Sequence, residues 1–588
     1  MLRSLIRGMV RSARAKQDAR ADRAATDDLE RARALQHSGD LARARVLCEG
    51  ILSHDDQHAG AHCLLGALHG QGGDLERAFT HLSAAARLAP QLEDAHLGLG
   101  NVHRLRGALD AAAESYRRAL AIRPDASEAH FSLGLVLRQA GRVRDALEHF
   151  ERASELAPAF TDAVRQAALC HTLLGSHERG VALLERALRT TPAAGELHAA
   201  LGFAYQKMHR SHAALECYDR ARELGHEDAE YWNNRGTVMQ ELGRIPEAFA
   251  AYERALQLQP EFSIARFHRG LARLLTRDYA NGWPDYELRL LSEELPFRTA
   301  AAPRWDGSAL AGRTLLVYGE QGLGDEIMFA SCLPDVVAAA GRCVIECQPK
   351  LEGIFRRSFP AAEVCAATPK RAVPGTPVAG RIDWEVPSGS LPLYFRRSLS
   401  DFPRHTGYLR PDPERLAAWR RRLAALGPGL KVGISWAGGT YRTRSPLRSI
   451  PLDQWLPILE TEGVRWVSLQ YGEVADMREA VAAEGRPPIE HWQDAIDDYE
   501  ETAALVSALD MVISVQTAIV HLSGALGRPV WAMVSYCPEW RYGFAGENMP
   551  WYPSVRVFRQ PSIGEWQPVI AAVARELRAL APRTGAHS

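Results

Sequence analysis

The chain has 588 residues, 46% hydrophobic and 24% charged, with a formal net charge of −1. That length asks for several domains, and the near-neutral balance excludes a protein that binds nucleic acid by neutralising phosphates. The nine cysteines are scattered with no CxxC, which argues against a disulfide framework or a structural zinc and favours a reducing cytoplasm, and no apolar run is long enough to cross a membrane.

The first segment, 1–24, is basic. Leu2, Leu5, Ile6, Met9 and Val10 recur at roughly helical spacing. It reads either as a helix for a membrane surface or a partner, or as a frayed basic tail. It lacks the apolar core and small-residue cleavage site of a signal peptide.

From about 25 to 296 the chain repeats. Pro90, Pro124, Pro158, Pro192 and Pro260 are spaced by 34 residues or twice 34, with His226 at the one missing place. Gly66, Gly100, Gly134, Gly202, Gly236 and Gly270 keep the same beat, with Ala168 in the gap. A fixed period of this length predicts stacked helical pairs. The glycines and alanines such as Ala112 and Ala119 fall where paired helices cross closely. Tyr116, Phe150, Tyr218 and Tyr252 supply the bulk that fills the space between them. Gly73, Gly107, Gly141, Gly175 and Gly243 fall between the two helices of a pair, where a left-handed C-cap is wanted. The prolines stop the second helix. This pattern resembles the tetratricopeptide repeat, which implies a superhelix whose concave face binds a peptide or protein segment. Asn101, Asn233 and Asn234 are polar candidates for that groove.

After a connector at 297–312, strands alternate with helices in two blocks, 313–410 and 411–580, before a tail at 581–588. Strands are predicted over 315–319, 343–347, 431–436, 466–470, 511–515 and 530–534, with a strand and loop over 383–392. Helices are predicted from about Asp325, near 351–358, and over 451–460, 499–509, 517–527 and 564–580. Such alternation predicts parallel sheets covered by helices, with ligands outside the carboxyl ends of the strands. The fold class is thus α + α/β, a helical repeat followed by two Rossmann-like domains.

Three motifs carry chemistry. Gly319-Glu320-Gln321-Gly322-Leu323-Gly324-Asp325 follows a strand, so its backbone can approach a ligand, and Asp325 also suits an N-cap. Gly433-Ile434-Ser435-Trp436-Ala437-Gly438-Gly439, then Arg442, Arg444 and Arg448, suits a diphosphate or else a solvated basic loop. Ser514-Val515-Gln516-Thr517-Ala518-Ile519-Val520-His521 sets hydroxyls and free N–H groups at a helix start, a phosphate site, with a buried histidine as the plainer reading.

Together with PRWDG (303–307), SGSLP (388–392), RSIPL (448–452), PEWRYG (538–543) and PWYPSVRVFRQ (550–560), these motifs resemble the bacterial heptosyltransferase family of glycosyltransferases, over about 300–575. More closely, they resemble the set in which such a domain follows tetratricopeptide repeats. The resemblance implies a GT-B arrangement, metal-independent and inverting, with no cofactor beyond a nucleotide-diphosphate sugar as co-substrate. It implies Asp325 as catalytic base and Arg448 as a contact of the donor diphosphate. Gly322, Gly324, Ser435, Trp436, Gly438, Gln516, Thr517, Ala518 and His521 become candidate donor-binding residues. At 516 the family carries an acid that helps hold the donor sugar, and here glutamine keeps an acceptor but loses the charge. The block 313–410 is short for a free-standing acceptor domain, so the repeats are expected to complete the acceptor site.

The expected function is therefore sugar transfer from a nucleotide-diphosphate donor to a protein held by the repeats. Two rivals stand beside it: a repeat scaffold whose sheet domains have lost catalysis, and transfer to a lipid or glycan. An oxidoreductase is disfavoured, because no GxGxxG with a ribose-binding acid follows the first strand.

Overall fold

A computed structural model describes residues 23–291, 302–367, 380–439, 444–472, 474 and 488–581. The basic segment over 1–22, Arg442 and residues 582–588 lie outside the described residues. The chain forms two compact units, 1–226 and 227–588.

The first unit is helical throughout its described part, from a helix over 23–37 to Ser211–Glu223. The 34-residue phase is written in its packing. A Cβ at Gly100 would stand 2.4 Å from the ring of Tyr116, and one at Gly134 would stand 2.7 Å from Phe150. Ala78, Ala112, Ala119, Ala146 and Ala153 are fully buried at the same crossings. The helix Leu109–Ile122 stops two residues before Pro124, with Arg123 extended at φ −129° and ψ 92°, as a residue before proline prefers. Gly107 and Gly141 take φ of +74° and +76° in the turns between helices. At the equivalent place 68 residues beyond Gly141 stands His209, with φ +58°, a region costly for a residue with a Cβ.

The second unit opens with four more repeat helices, Ala229–Glu241, Ile245–Leu258, Ser263–Leu275 and Tyr279–Tyr286, and a 3-10 turn at Glu287–Leu291. These helices share one hydrophobic core with the sheets that follow. Leu274, Tyr279, Trp283 and Tyr286 pack in the same cluster as Leu315, Phe329, Val512 and Trp551. Trp283 Nε1 donates to Arg396 O at 2.7 Å, and its ring meets Trp540 edge-on at 5.4 Å. Arg277 also holds a left-handed φ of +67°, and its guanidinium donates to Asn548 O at 2.9 Å.

Two sheets follow. The first is wholly parallel, built from β1 (Thr314–Tyr318), β2 (Arg342–Cys347), β3 (Glu363–Ala366) and β4 (Trp384–Pro387) in the order β3-β2-β1-β4. The stretch expected as a connector adds to it, since Trp305 N donates to Glu385 O at 2.8 Å beside β4. The second sheet holds β5 (Leu430–Ser435), β6 (Val464–Ser468), β7 (Ile489–His491), β8 (Met511–Val515), β9 (Val530–Val534), β10 (Asn548–Met549) and β11 (Tyr552–Arg559). Its order is β10-β11-β9-β8-β5-β6-β7, parallel except for the β10–β11 pair. Strand order reverses between β1 and β4 in the first sheet and between β5 and β8 in the second, which opens a crevice at each carboxyl edge.

Two predicted helices are broken. The helix begun at Leu323 gives way to a 3-10 turn at Ala330–Cys332 before Leu333–Ala339, because Pro334 has no N–H to continue the ladder. The same interruption at Pro457 splits 451–460 into a 3-10 turn, Leu452–Trp455, and a single α-turn, Leu456–Leu459. Strands β3, β7, β10 and β11 are additions to the sequence reading.

His209→Gly should raise the stability of the first unit by roughly 1 kcal/mol, read as a higher urea midpoint with unchanged slope. A fragment of residues 227–588 should melt cooperatively, whereas one starting at 302 should aggregate, since it exposes the core face that Leu274, Tyr279 and Trp283 cover. A cooperative melt of the shorter fragment would show that those helices are dispensable.

Candidate functional site

The three sequence motifs meet within the second unit. The first turn of the helix Leu323–Phe329 lies against the helix Ala518–Ala525: a Cβ at Gly324 would stand 3.2 Å from His521 Cδ2 and 3.3 Å from Ala518 Cα. A side chain there would crowd that approach of the β1 loop to the β8 loop, and glycine leaves it open. A Cβ at Gly438 would stand 2.5 Å from Thr517 Cγ2, so the loop after β5 closes on the same helix start. Gly322 caps the helix carrying Asp325 and takes its N–H as a carbonyl acceptor at 2.9 Å.

Charge gathers at this junction. Asp325 accepts from Arg541 Nη2, and Glu539 accepts from Arg541 Nη1. Glu539 also accepts from Arg448 Nη1 at 2.7 Å, while Arg448 Nε donates to Gly438 O at 3.2 Å. Asp325, Arg541, Glu539 and Arg448 therefore alternate in sign along one chain of contacts. The side chains are 22%, 13%, 21% and 11% exposed, enough to be reached from solvent and little enough to strengthen the pairing. Burial lowers the pKa of Arg448 from the usual arginine range, with the cations Arg541 and Arg444 adding to the effect. Arg541 stacks over Trp540 at 5.3 Å, and its Nε is buried with no acceptor among the described residues.

The neighbouring candidates divide into two sets. Gln516 is buried, and its Oε1 accepts from Ser535 N at 3.1 Å and Ser535 Oγ at 3.0 Å. Thr517 caps the helix Ala518–Ala525 with no side-chain cap bond, and Ser514 Oγ and Thr517 Oγ1 lie 3.0 Å apart. His521 is buried, bonds through Nδ1 to Tyr552 OH at 3.2 Å, and is held neutral by burial and by Arg541 and Arg448. Ser435 and Trp436 are turned inward. Ser435 Oγ and Trp436 N both donate to Gln470 Oε1, at 3.2 and 3.0 Å, and the indole packs with Ile434 and Trp455 in the core of the second sheet. Those two set the shape of the loop; Arg448, Thr517 and Asp325 face the junction.

The last repeat reaches the same loop. Arg289 Nη2 donates to Glu320 Oε1 at 2.9 Å and to Ser390 Oγ at 2.8 Å, and Gln321 Nε2 donates to Tyr286 OH at 2.9 Å. Glu320 Oε1 also takes the N–H of Gly389, at the start of the loop after β4, at 3.2 Å. The β1 loop that carries Asp325 is thus held by a repeat residue on one side and by the β4 loop on the other. Beneath it, a Cβ at Gly319 would stand 2.2 Å from Glu326 Oε1. Glu326 is 5% exposed, accepts from Gln348 N at 3.0 Å, and is pushed by burial up to about 7.

Sequence reasoning missed Arg541 and Glu539 as site residues. Their only signal is that they fall inside PEWRYG, without periodicity or a helix to mark them. Among the described residues no helix is long and apolar enough to cross a membrane.

Residues 100–141 match a family model described as TPR repeat, and residues 131–195 and 229–262 match models described as tetratricopeptide repeat. The repeat character expected from the 34-residue phase is thereby shown. Over 432 residues the chain is 32% identical to Protein FlbA of Caulobacter vibrioides, covering 64% of this chain and 72% of that protein. It is similar to a tetratricopeptide repeat protein from Parabacteroides merdae, at 15% identity and a TM-score of 0.35, over 41% of this chain and 96% of that one. It is similar also to pilF of Pseudomonas aeruginosa, at 20% identity and a TM-score of 0.32, over 36% of this chain and 97% of that one.

Glu326→Gln should leave stability unchanged at pH 4 and raise it at pH 8 by up to about 3 kcal/mol, the linkage expected for a shift from 4.5 to about 7. The sign follows from a folded value above the unfolded one: stability is complete below the unfolded pKa and falls as pH rises through 7. Urea titrations of both proteins at the two pH values measure it, and an equal gap at both would rule out Glu326 as the titrating group.

Proposed function

The chain belongs to the family of Protein FlbA, and from the geometry of its second unit we propose that it is a repeat-bearing glycosyltransferase. It transfers a sugar from a nucleotide-diphosphate donor to a protein or peptide presented by the repeats. The observation that carries this reading is the chain Asp325–Arg541–Glu539–Arg448, two carboxylates alternating with two largely buried guanidiniums, at the carboxyl edges of the two sheets. That is the charge pattern a group transfer from a diphosphate needs: a base for the incoming hydroxyl and cations for the leaving anion.

In the proposed step Asp325 takes the proton of the acceptor hydroxyl as its oxygen bonds to the anomeric carbon. The bond from that carbon to the diphosphate oxygen breaks, and its electron pair leaves with the nucleoside diphosphate. Arg448, Arg541 and the free N–H groups where the helix Ala518–Ala525 begins at Thr517 stabilise that developing charge. Gln516 serves here as a brace for the Ser535 backbone, a duty an amide oxygen performs as well as a carboxylate. Peptide acceptors fit the repeats, and Arg289 and Tyr286 bring the last repeat to the catalytic loop.

A second reading, a repeat scaffold with an inactive sheet unit, is favoured by one observation: position 516 lacks the acid that resemblance to heptosyltransferases leads one to expect there.

Two measurements separate these readings. In a panel of ADP-, UDP-, GDP- and CMP-linked sugars at one common concentration, one nucleotide class should stabilise the protein, by about 2.7 kcal/mol where that concentration is ~100 times its dissociation constant. The shift should vanish in Arg448→Ala, and a panel with no shift favours the scaffold. Asp325→Asn should lower transfer by about 10²–10⁴-fold while retaining donor binding, and unchanged turnover would remove Asp325 from the chemistry.

A further inference from the structure

The contacts around Asp325 contain a conflict that the proposed chemistry has to resolve. A carboxylate beside a guanidinium is a poorer acceptor for a hydroxyl proton, even where its second oxygen stays open. Here Arg541 holds Asp325 through Nη2 and Glu539 through Nη1, and Glu539 in turn holds Arg448 at 2.7 Å. Two negative and two positive groups close on one another, so the junction carries no net charge from these four. A donor diphosphate brings negative charge into a place whose cations are already paired. It engages both guanidiniums fully only by drawing them from the carboxylates.

We infer that Arg541 exchanges partners, from Asp325 to the donor's diphosphate, so that donor binding frees the base and transfer is ordered with the donor first. This rests on the transferase reading above and adds to it a diphosphate-binding role for Arg541 and a coupling between the two substrates. The geometry supplies the means. Arg541 lies in the loop after β9, flanked by Trp540 and Tyr542, and its Nε is buried with no acceptor among the described residues, so the guanidinium has donors in excess of its present contacts. Arg448 sits on the other side of Glu539 with the same dependence on that carboxylate. A diphosphate has oxygens enough for both guanidiniums, and planar guanidinium donors match them in geometry. Glu539, released by the same exchange, is left as a carboxylate beside the donor, in a loop whose Ser535 is braced by Gln516.

The experiment is calorimetric titration of the full chain with ADP, UDP and GDP. If binding must break the Asp325–Arg541 pair, Asp325→Asn should bind the preferred nucleoside diphosphate at least tenfold more tightly than the native protein, and Arg541→Gln should bind it at least tenfold more weakly. The gain should disappear when Asp325→Asn is made in the Arg541→Gln background, because the two groups then no longer compete. Glu539→Gln removes the other carboxylate of the chain and should also tighten binding, which keeps the test available if Asp325→Asn does not fold. Unchanged or weaker binding by Asp325→Asn and Glu539→Gln, with normal binding by the native protein, would overturn the exchange and leave the donor site standing. Absence of binding by the native protein and all variants would overturn the transferase reading, and the exchange with it.

Discussion

A guanidinium withdrawn from water needs a partner, and in this protein that need ties three loops together. Arg448 follows β5, Arg541 and Glu539 follow β9, and Asp325 follows β1 in the other sheet. None of the four could be as buried as it is with its partner removed, since an unpaired buried charge costs several kcal/mol. The loops therefore have to meet, and the glycines at 324 and 438 leave the space in which they do. Packing and charge demand the same arrangement, which is the usual mark of a site that a sequence specifies rather than tolerates.

The second demand is on the repeats. A helical pair cannot bury its own apolar face, so the last pair of an array needs a cap. Here the rest of the second unit covers that last pair: Trp283 lies among Trp540, Trp551 and Tyr286, and Arg289 reaches Glu320. The cap of the array and the support of the Asp325 loop are one structure. A change of position in the final repeat helices would be felt at the loop through Tyr286–Gln321 and Arg289–Glu320.

The parts of this fold that were legible in the sequence are those with a period. Glycine, alanine and proline at 34 residues gave away the repeats because close helix crossings admit few side chains, and the continuously apolar strands β1, β8 and β9 showed as short runs because both their faces are covered. Strand β3 was missed because it is a four-residue edge, Glu363 exposed and the other three only partly buried, too short to show a period. Strand β7 is three residues long, and β11 carries Pro553 and alternates Val555 and Val557 with arginines, so its pattern reads as loop or edge. At the site, Asp325, Arg448 and Thr517 stood out because motifs mark them. Trp436 shared a motif but faces the core, which spacing does not reveal. Arg541 stayed hidden because its partner lies 216 residues away, and a pairing across the chain leaves no mark on local sequence.

Asp325, the paired Arg448 and Arg541, and a repeat that touches the same loop together carry the proposal that the second unit receives a nucleotide-diphosphate sugar at the junction of its two sheets. The most direct measurement is a structure of the protein with a nucleoside diphosphate bound. The expected result has diphosphate oxygens within hydrogen-bond distance of both Arg448 and Arg541, with Asp325 no longer paired to Arg541. A diphosphate bound elsewhere, or bound there with the Asp325–Arg541 pair intact, would contradict it.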